Sequence, residues 1–172
     1  MKIRKKLLII SNIFVSILFL LPASKLNLFD ENYSTLSLTT RGYLYVLFLG
    51  IVIGLLLGYE TSIIRNKFLG LLMVLFMLLG AIIPHHIPYN LQGNLHLLFA
   101  YISFSGVATI TFINCKIKKY RDIYLLFIFL AILIYLKCGM VNTLSEIIVM
   151  LGSLYTNLIL IKKWRLNLHF IL

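Results

Sequence analysis

The chain has 172 residues, of which 61% are hydrophobic and only 12% charged, and its mean hydropathy is +1.01. Soluble domains carry roughly a quarter of their residues as charges, so this composition excludes an ordinary water-exposed globule and implies a bilayer as solvent. The formal net charge of +11 sits in clusters between apolar runs, without the aromatic interleaving that stacks bases, which argues for membrane orientation and against nucleic-acid binding.

Six apolar runs follow one another, each near the roughly 20 residues that a helix needs to cross the hydrocarbon core. The predicted fold is all-α: one integral membrane bundle of six transmembrane helices filling residues 1–172, with no room for a second domain. The first span, residues 7–22, follows the basic start Lys2, Arg4, Lys5 and Lys6. Ala23 and Ser24 are small, but Leu21 and Pro22 stand where a signal-cleavage site needs a second small residue, so this run is read as a retained helix. Residues 25–41 hold Asp30, Glu31 and a Ser, Thr and Asn-rich stretch, the longest polar connection.

The second span, residues 42–59, carries Gly50, Gly54 and Gly58 four apart, which puts them on one face as a close-packing seam. Glu60, Arg65 and Lys67 then mark a short turn, and the third span, residues 68–83, stops at Pro84, because the residue before a proline is pushed out of helical geometry. Asn94 is the expected cap of the fourth span, residues 95–113, which puts His96 in its first turn. The fifth span, residues 123–141, has Lys137 near its far end, where a long side chain can snorkel. The sixth, residues 144–161, is preceded by Thr143 and Glu146, three apart as in a capping box.

Positive charge tests the span count, since it gathers in alternate loops on the cytoplasmic side. With both termini inside, the cytoplasmic segments hold Lys2, Arg4, Lys5, Lys6, Arg65, Lys67, Lys116, Lys118, Lys119, Arg121, Lys162, Lys163 and Arg165, against Lys25, Arg41 and Lys137 outside. The same map sets Cys115 and Cys138 at opposite ends of the bundle, roughly the 30 Å of the hydrocarbon core apart, so no disulfide is expected between them.

On the outer side this topology gathers His85, His86, Tyr89, Asn90, His96 and Glu146, with Asp30 and Glu31 nearby. His96, Glu146, Tyr89 and Asn90 form the candidate ligand-binding set, an outer-face polar pocket around His96. Three imidazoles and a carboxylate would also satisfy zinc, so His85, His86 and His96 are the alternative, a metal site for a membrane hydrolase, although no HExxH-like spacing supports it. Each has a plainer reading: His85 and His86 as solvated loop residues, His96 as a structural hydrogen-bonding or interface residue, Glu146 as half of the capping box, and Asn157 as interhelical glue. A b-type haem needs two facing histidines at membrane depth and only His96 is near one, so no cofactor is expected. Serine-hydrolase, phosphate-loop and dinucleotide motifs do not occur.

YSTLS before the second span, GAIIP closing the third, GNLHLLFAYISF opening the fourth and LSEIIVMLGSLYTNLIL as the last resemble, in that order, the DUF-nine-nine-eight family of uncharacterised prokaryotic six-span membrane proteins. The resemblance covers residues 33–162 and implies a six-helix protein of the prokaryotic cytoplasmic membrane, with Ser34, Pro84 and His96 at the family's recurring polar positions. It implies no activity. Glu146 stands where the family pattern often has a basic residue, a departure that weakens any shared role for that position. The expected function is non-enzymatic binding or passage of a small molecule, lipid or partner, with anionic lipid headgroups attracted to the basic inner loops and no protein partner identified.

Overall fold

A computed structural model describes residues 2–83, 91–139 and 141–168, with side chains placed from Lys6 to Ile161 except at Ser34. Helix α1 (Lys2–Leu20) runs into a 3-10 turn (Leu21–Lys25), and the connection after it holds a single helical turn, α2 (Tyr33–Leu36). Five long helices follow among the described residues: α3 (Thr40–Ile64), α4 (Lys67–Ile82), α5 (Leu91–Asn114), α6 (Lys118–Cys138) and α7 (Thr143–Leu168). No strand occurs among the described residues. Six long helices thus stand where the sequence sets six apolar runs.

Lys6–Lys25, Thr40–Ile64, Leu91–Asn114 and Thr143–Ile161 are each long and apolar enough to cross a membrane. Helix α4 is apolar but shorter, and α6 keeps an apolar run only from Ile123 to Leu136, between Asp122 and Lys137. The side-chain distribution is that of a membrane protein. Leu7, Ile10, Phe14 and Ile17 recur at helical spacing on the outside of α1 and are all more than half exposed. Asn12, Glu60, Thr61, Thr111, Asn114, Ser153 and Asn157 are buried. Large apolar groups facing out over polar groups facing in reverse the soluble pattern, as expected where the surroundings are hydrocarbon and interhelical hydrogen bonds replace the hydrophobic effect between helices.

Helix α7 is the hub, packed against α1, α3, α5 and α6, while α3 and α4 make the most intimate pair. Gly50, Gly54 and Gly58 all face α4: a Cβ on Gly50 would meet that of Ala81 at 2.6 Å, and one on Gly54 would meet that of Met77 at 3.0 Å. At the bundle's centre Val15, Ile53, Leu57, Met73, Ile110 and Leu154 close one apolar core.

Helix ends are closed largely by groups from elsewhere in the chain, as a low-dielectric environment demands of the orphan donors and acceptors there. Tyr45 donates to the Leu18 carbonyl at 2.6 Å and Tyr43 to that of Ile82 at 2.8 Å. Arg65 Nε donates to the Ile113 carbonyl at 3.0 Å. Asn66 caps α4 by accepting from the Leu69 N–H at 2.9 Å, and Gly139 ends α6 in the left-handed region at φ 73°.

Three local expectations are corrected. Helix α5 begins at Leu91, so Asn94 lies within its first turn and is not its cap, and His96 falls in the second turn. Glu60 is not in a turn: α3 continues to Ile64 and buries it completely. The capping box at α7 is formed by Asn142 and Ser145, not by Thr143 and Glu146. Asn142 Oδ1 accepts from the Ser145 N–H at 3.0 Å while Ser145 Oγ accepts from the Asn142 N–H at 3.1 Å. The polar connection finishes the cap, because the Thr143 and Leu144 N–H groups donate to the carbonyls of Glu31 and Leu28 at 2.6 and 3.1 Å. Asn142→Ala removes both the reciprocal cap and the bond from Asn142 Nδ2 to the Phe29 carbonyl. It is expected to lower stability by about 2 kcal/mol, read as a shifted unfolding midpoint of the detergent-solubilised protein.

Candidate functional site

Where α1, α3, α4, α5 and α7 meet beneath the polar connection, they leave a cavity of about 130 Å³. Its walls exist because of small residues: Gly50, Gly80, Ala81 and Ala100 provide backbone and methyl surface where larger side chains would fill the space. Phe19, Tyr33 and Phe104 supply aromatic surface, and Ser103 and Glu146 supply the polar side chains. Ile53 and Val107 close it toward the apolar core.

Glu146 is held in place by the connection. Its Oε2 accepts from the Tyr33 backbone N–H at 2.8 Å, so the residue expected to cap its own helix instead caps the turn α2 and leans over the cavity. Its Oε1 makes no hydrogen bond among the described residues. Tyr33 lies flat on Phe19, centroids 4.3 Å apart and planes 4° from parallel, and its hydroxyl donates to the Phe19 carbonyl. Burial first, and then the Glu146 carboxylate, push the Tyr33 phenol above the ordinary tyrosine range, so it is a fixed donor and not a proton carrier.

The other residues expected at a site do not converge here. His85, His86, Tyr89 and Asn90 lie outside the described residues. His96 is 3% exposed and does not border the cavity; its Nδ1 lies 2.5 Å from the Ile83 carbonyl at the end of α4. A carbonyl only accepts, so Nδ1 carries the hydrogen and the ring ties the start of α5 to an orphan acceptor of α4. The polar side chains of this cavity are therefore Glu146 and Ser103, with Ala100 and Phe104 on its α5 wall. Asp30 and Glu31 are spent on the connection itself, accepting from Asn27 Nδ2 and from the Asn27 N–H, each at 2.6 Å. Among the described residues no three His, Cys, Asp or Glu side chains group as metal ligands.

A second polar assembly, at the opposite end of the bundle, went unread in the sequence apart from Asn157. Asn12 Nδ2 donates to Glu60 Oε1 at 2.6 Å. Next to Glu60 in the chain, Thr61 Oγ1 accepts from Asn114 Nδ2 at 3.1 Å, which also donates to Asn157 Oδ1 at 3.2 Å. Four helices, α1, α3, α5 and α7, thus contribute polar side chains at one depth. The available signal was spacing from the basic residues: Glu60 stands five before Arg65, Asn157 five before Lys162 and Asn12 six after Lys6. Leu57, fully buried, and Ile53 lie between this assembly and the cavity on α3. No protein-family model, curated protein sequence or solved structure matches the chain.

Proposed function

We propose that the chain is a six-span protein of a prokaryotic cytoplasmic membrane, both termini inside, that binds a small organic cation without chemical change in the cavity under Glu146. The observation that carries the reading is one carboxylate over a pocket with three aromatic walls, the pairing that recognises an ammonium group by charge and by the faces of the rings. Size limits the occupant, since a cavity near 150 Å³ holds about one benzene ring. The ligand class is a compact ammonium with an apolar body. Passage across the bilayer would need the apolar layer of Ile53 and Leu57 to part, so binding is the primary activity and passage its extension.

Thirteen of sixteen basic residues fall on one side of the proposed topology, which supports six crossings. The 16 residues of α4 reach about 24 Å, short of the hydrocarbon thickness by an amount that local thinning and snorkelling accommodate. The resemblance to the DUF-nine-nine-eight family agrees with this count.

Topology is tested by thiol labelling of intact cells, in a background with Cys115 and Cys138 replaced by serine. Native Cys115 is unsuitable as a reporter. It is buried, and burial outweighs Arg121 and Arg65 to push its thiol up to about 11, so little reactive thiolate forms at neutral pH. Leu38→Cys should react with an impermeant maleimide and Lys116→Cys should not, both being exposed positions; labelling of both from outside would end the six-span reading. Binding is tested by calorimetry of the purified protein with small aromatic amines. Glu146→Gln, which keeps an acceptor for the Tyr33 N–H, should weaken the amines about 30-fold or more, ~2 kcal/mol, and leave uncharged isosteres unaffected. Equal loss for amine and isostere would sink the assignment of the carboxylate.

A further inference from the structure

The assembly at the far end from the cavity has a proton missing from its hydrogen-bond count. Glu60 is fully buried, two helical turns past Ile53 at the cavity floor. Asn12 Nδ2 donates to both Glu60 Oε1, at 2.6 Å, and the Leu8 carbonyl, at 2.9 Å, and these two acceptors fix which way the amide faces. Glu60 Oε2 and Asn12 Oδ1 then remain, both buried and both without a donor among the described residues. Two orphan acceptors on directly paired side chains are a specific deficit, since each unmet buried oxygen costs about 1–3 kcal/mol.

No neighbouring charge offsets a carboxylate here among the described residues. On α1 Lys6 is exposed; on α3 Arg65 is exposed and engaged by the Ile113 carbonyl; on α4 Lys67 is exposed. Helix α5 presents Asn114 and beyond it Cys115, bonded to the Thr111 carbonyl; α7 presents Asn157; and Tyr124 of α6 is occupied by Ser153. An unpaired carboxylate in such a place is among the least favourable buried groups. One proton removes the deficit. Placed on Oε2 it turns that oxygen into a donor for Asn12 Oδ1, and acid and amide close a ring with two hydrogen bonds, N–H to Oε1 and O–H to Oδ1.

We propose that Glu60 and Asn12 form a proton-binding site inside the bundle, which holds one proton as a carboxylic acid–amide pair and releases it only when α1 and α3 part at their shared basic end. In release the O–H bond of the acid breaks, the proton passes to an admitted water and leaves through it as hydronium, and further water solvates the carboxylate. The site lies about 8 Å inside Arg65 along α3, five residues at the helical rise, so a short opening suffices. It depends on none of the residues that line the cavity, and it stands or falls separately from the ammonium reading.

Infrared spectroscopy of the purified full-length protein tests it. The carbonyl band of a protonated carboxylic acid should be present, shift in deuterated solvent, disappear in Glu60→Gln and persist in Glu146→Gln. Asn12→Leu, which deprives the acid of its ring partner, should move the band. Amide hydrogen exchange gives the second readout. The ends of α1 and α3 around Asn12 and Glu60 should exchange about tenfold faster at about pH 9 than at about pH 5 after correction for intrinsic chemistry. Glu60→Gln reproduces the ring with an N–H in place of the O–H and should be protected equally at both. A band that survives in Glu60→Gln, or one that Asn12→Leu leaves unmoved, overturns the proposal. So does protection restored at high pH by sodium alone, which would make the oxygens of Glu60 and Asn12 a cation site.

Discussion

Tyr33→Ala should destabilise the protein by about 4 kcal/mol, the largest effect expected of any single truncation outside the helices' own packing seams. Three independent attachments meet at this residue. Its ring stacks on Phe19 at 4.3 Å, its hydroxyl bonds the Phe19 carbonyl near the end of α1, and its backbone N–H is held by Glu146. The truncation opens the cavity toward α2, leaves an α1 carbonyl without its donor, and removes the stacked pair, worth about 1 kcal/mol beyond its buried area. Tyr33→Phe keeps the ring and loses only the hydroxyl, so it should cost about 1 kcal/mol. Equilibrium unfolding in mixed detergent measures both. If Tyr33→Phe costs as much as Tyr33→Ala, the hydroxyl and not the aromatic wall holds the connection, and the account of the cavity roof is wrong.

Gly58→Leu should cost about 3 kcal/mol or more and loosen α3 from α4, because the obstacle it meets is backbone. A Cβ on Gly58 would lie 2.7 Å from the Gly70 carbonyl oxygen and 2.5 Å from Val74 Cγ2. A Cβ on Gly70 would in turn strike the Gly58 carbonyl and Ser62 Oγ, so the two helices touch glycine to glycine and neither can yield without moving as a whole. Gly152→Ala provides the contrast. The three atoms nearest its Cβ would all belong to the Phe127 side chain, at 3.0 to 3.2 Å, on the more peripheral α6, and a ring can tilt where a carbonyl cannot. Alanine should therefore be tolerated at Gly152 and not at Gly58, measured as the difference in unfolding midpoints. Equal tolerance would mean that the α3–α4 seam is looser than its geometry requires.

Much of the architecture was legible locally. Apolar runs of the right length, Gly50, Gly54 and Gly58 four apart, and Pro84 after Ile83 each act within one helix or its next turn, and helical periodicity turns such patterns into elements without reference to the rest of the chain. The candidate site was legible only in part. Glu146 was noticed for its spacing from Thr143, which is the right reason for a cap and the wrong one here, because Asn142 and Ser145 are one residue better placed and the carbonyls of Leu28 and Glu31 complete the helix start. That left the carboxylate free to reach Tyr33, 113 residues away in the chain. His96 drew attention as a polar group in an apolar helix, and its Nδ1 meets the Ile83 carbonyl at the end of the preceding helix.

Glu60 is the clearest case of what sequence alone does not carry. Beside Arg65 and Lys67 it reads as one more turn residue, since nothing in its neighbours tells whether α3 ends before it or a turn after it. Composition, helix count and the close-packing seam are properties of single segments, and the sequence by itself determines them. Which polar groups face one another across helices is decided by interaxial geometry. Asn12 meets Glu60 over 48 residues and Asn114 meets Asn157 over 43, and only the packed bundle brings those pairs to one depth. In a low-dielectric interior that pairing decides which buried polar atoms among the described residues are left without a partner.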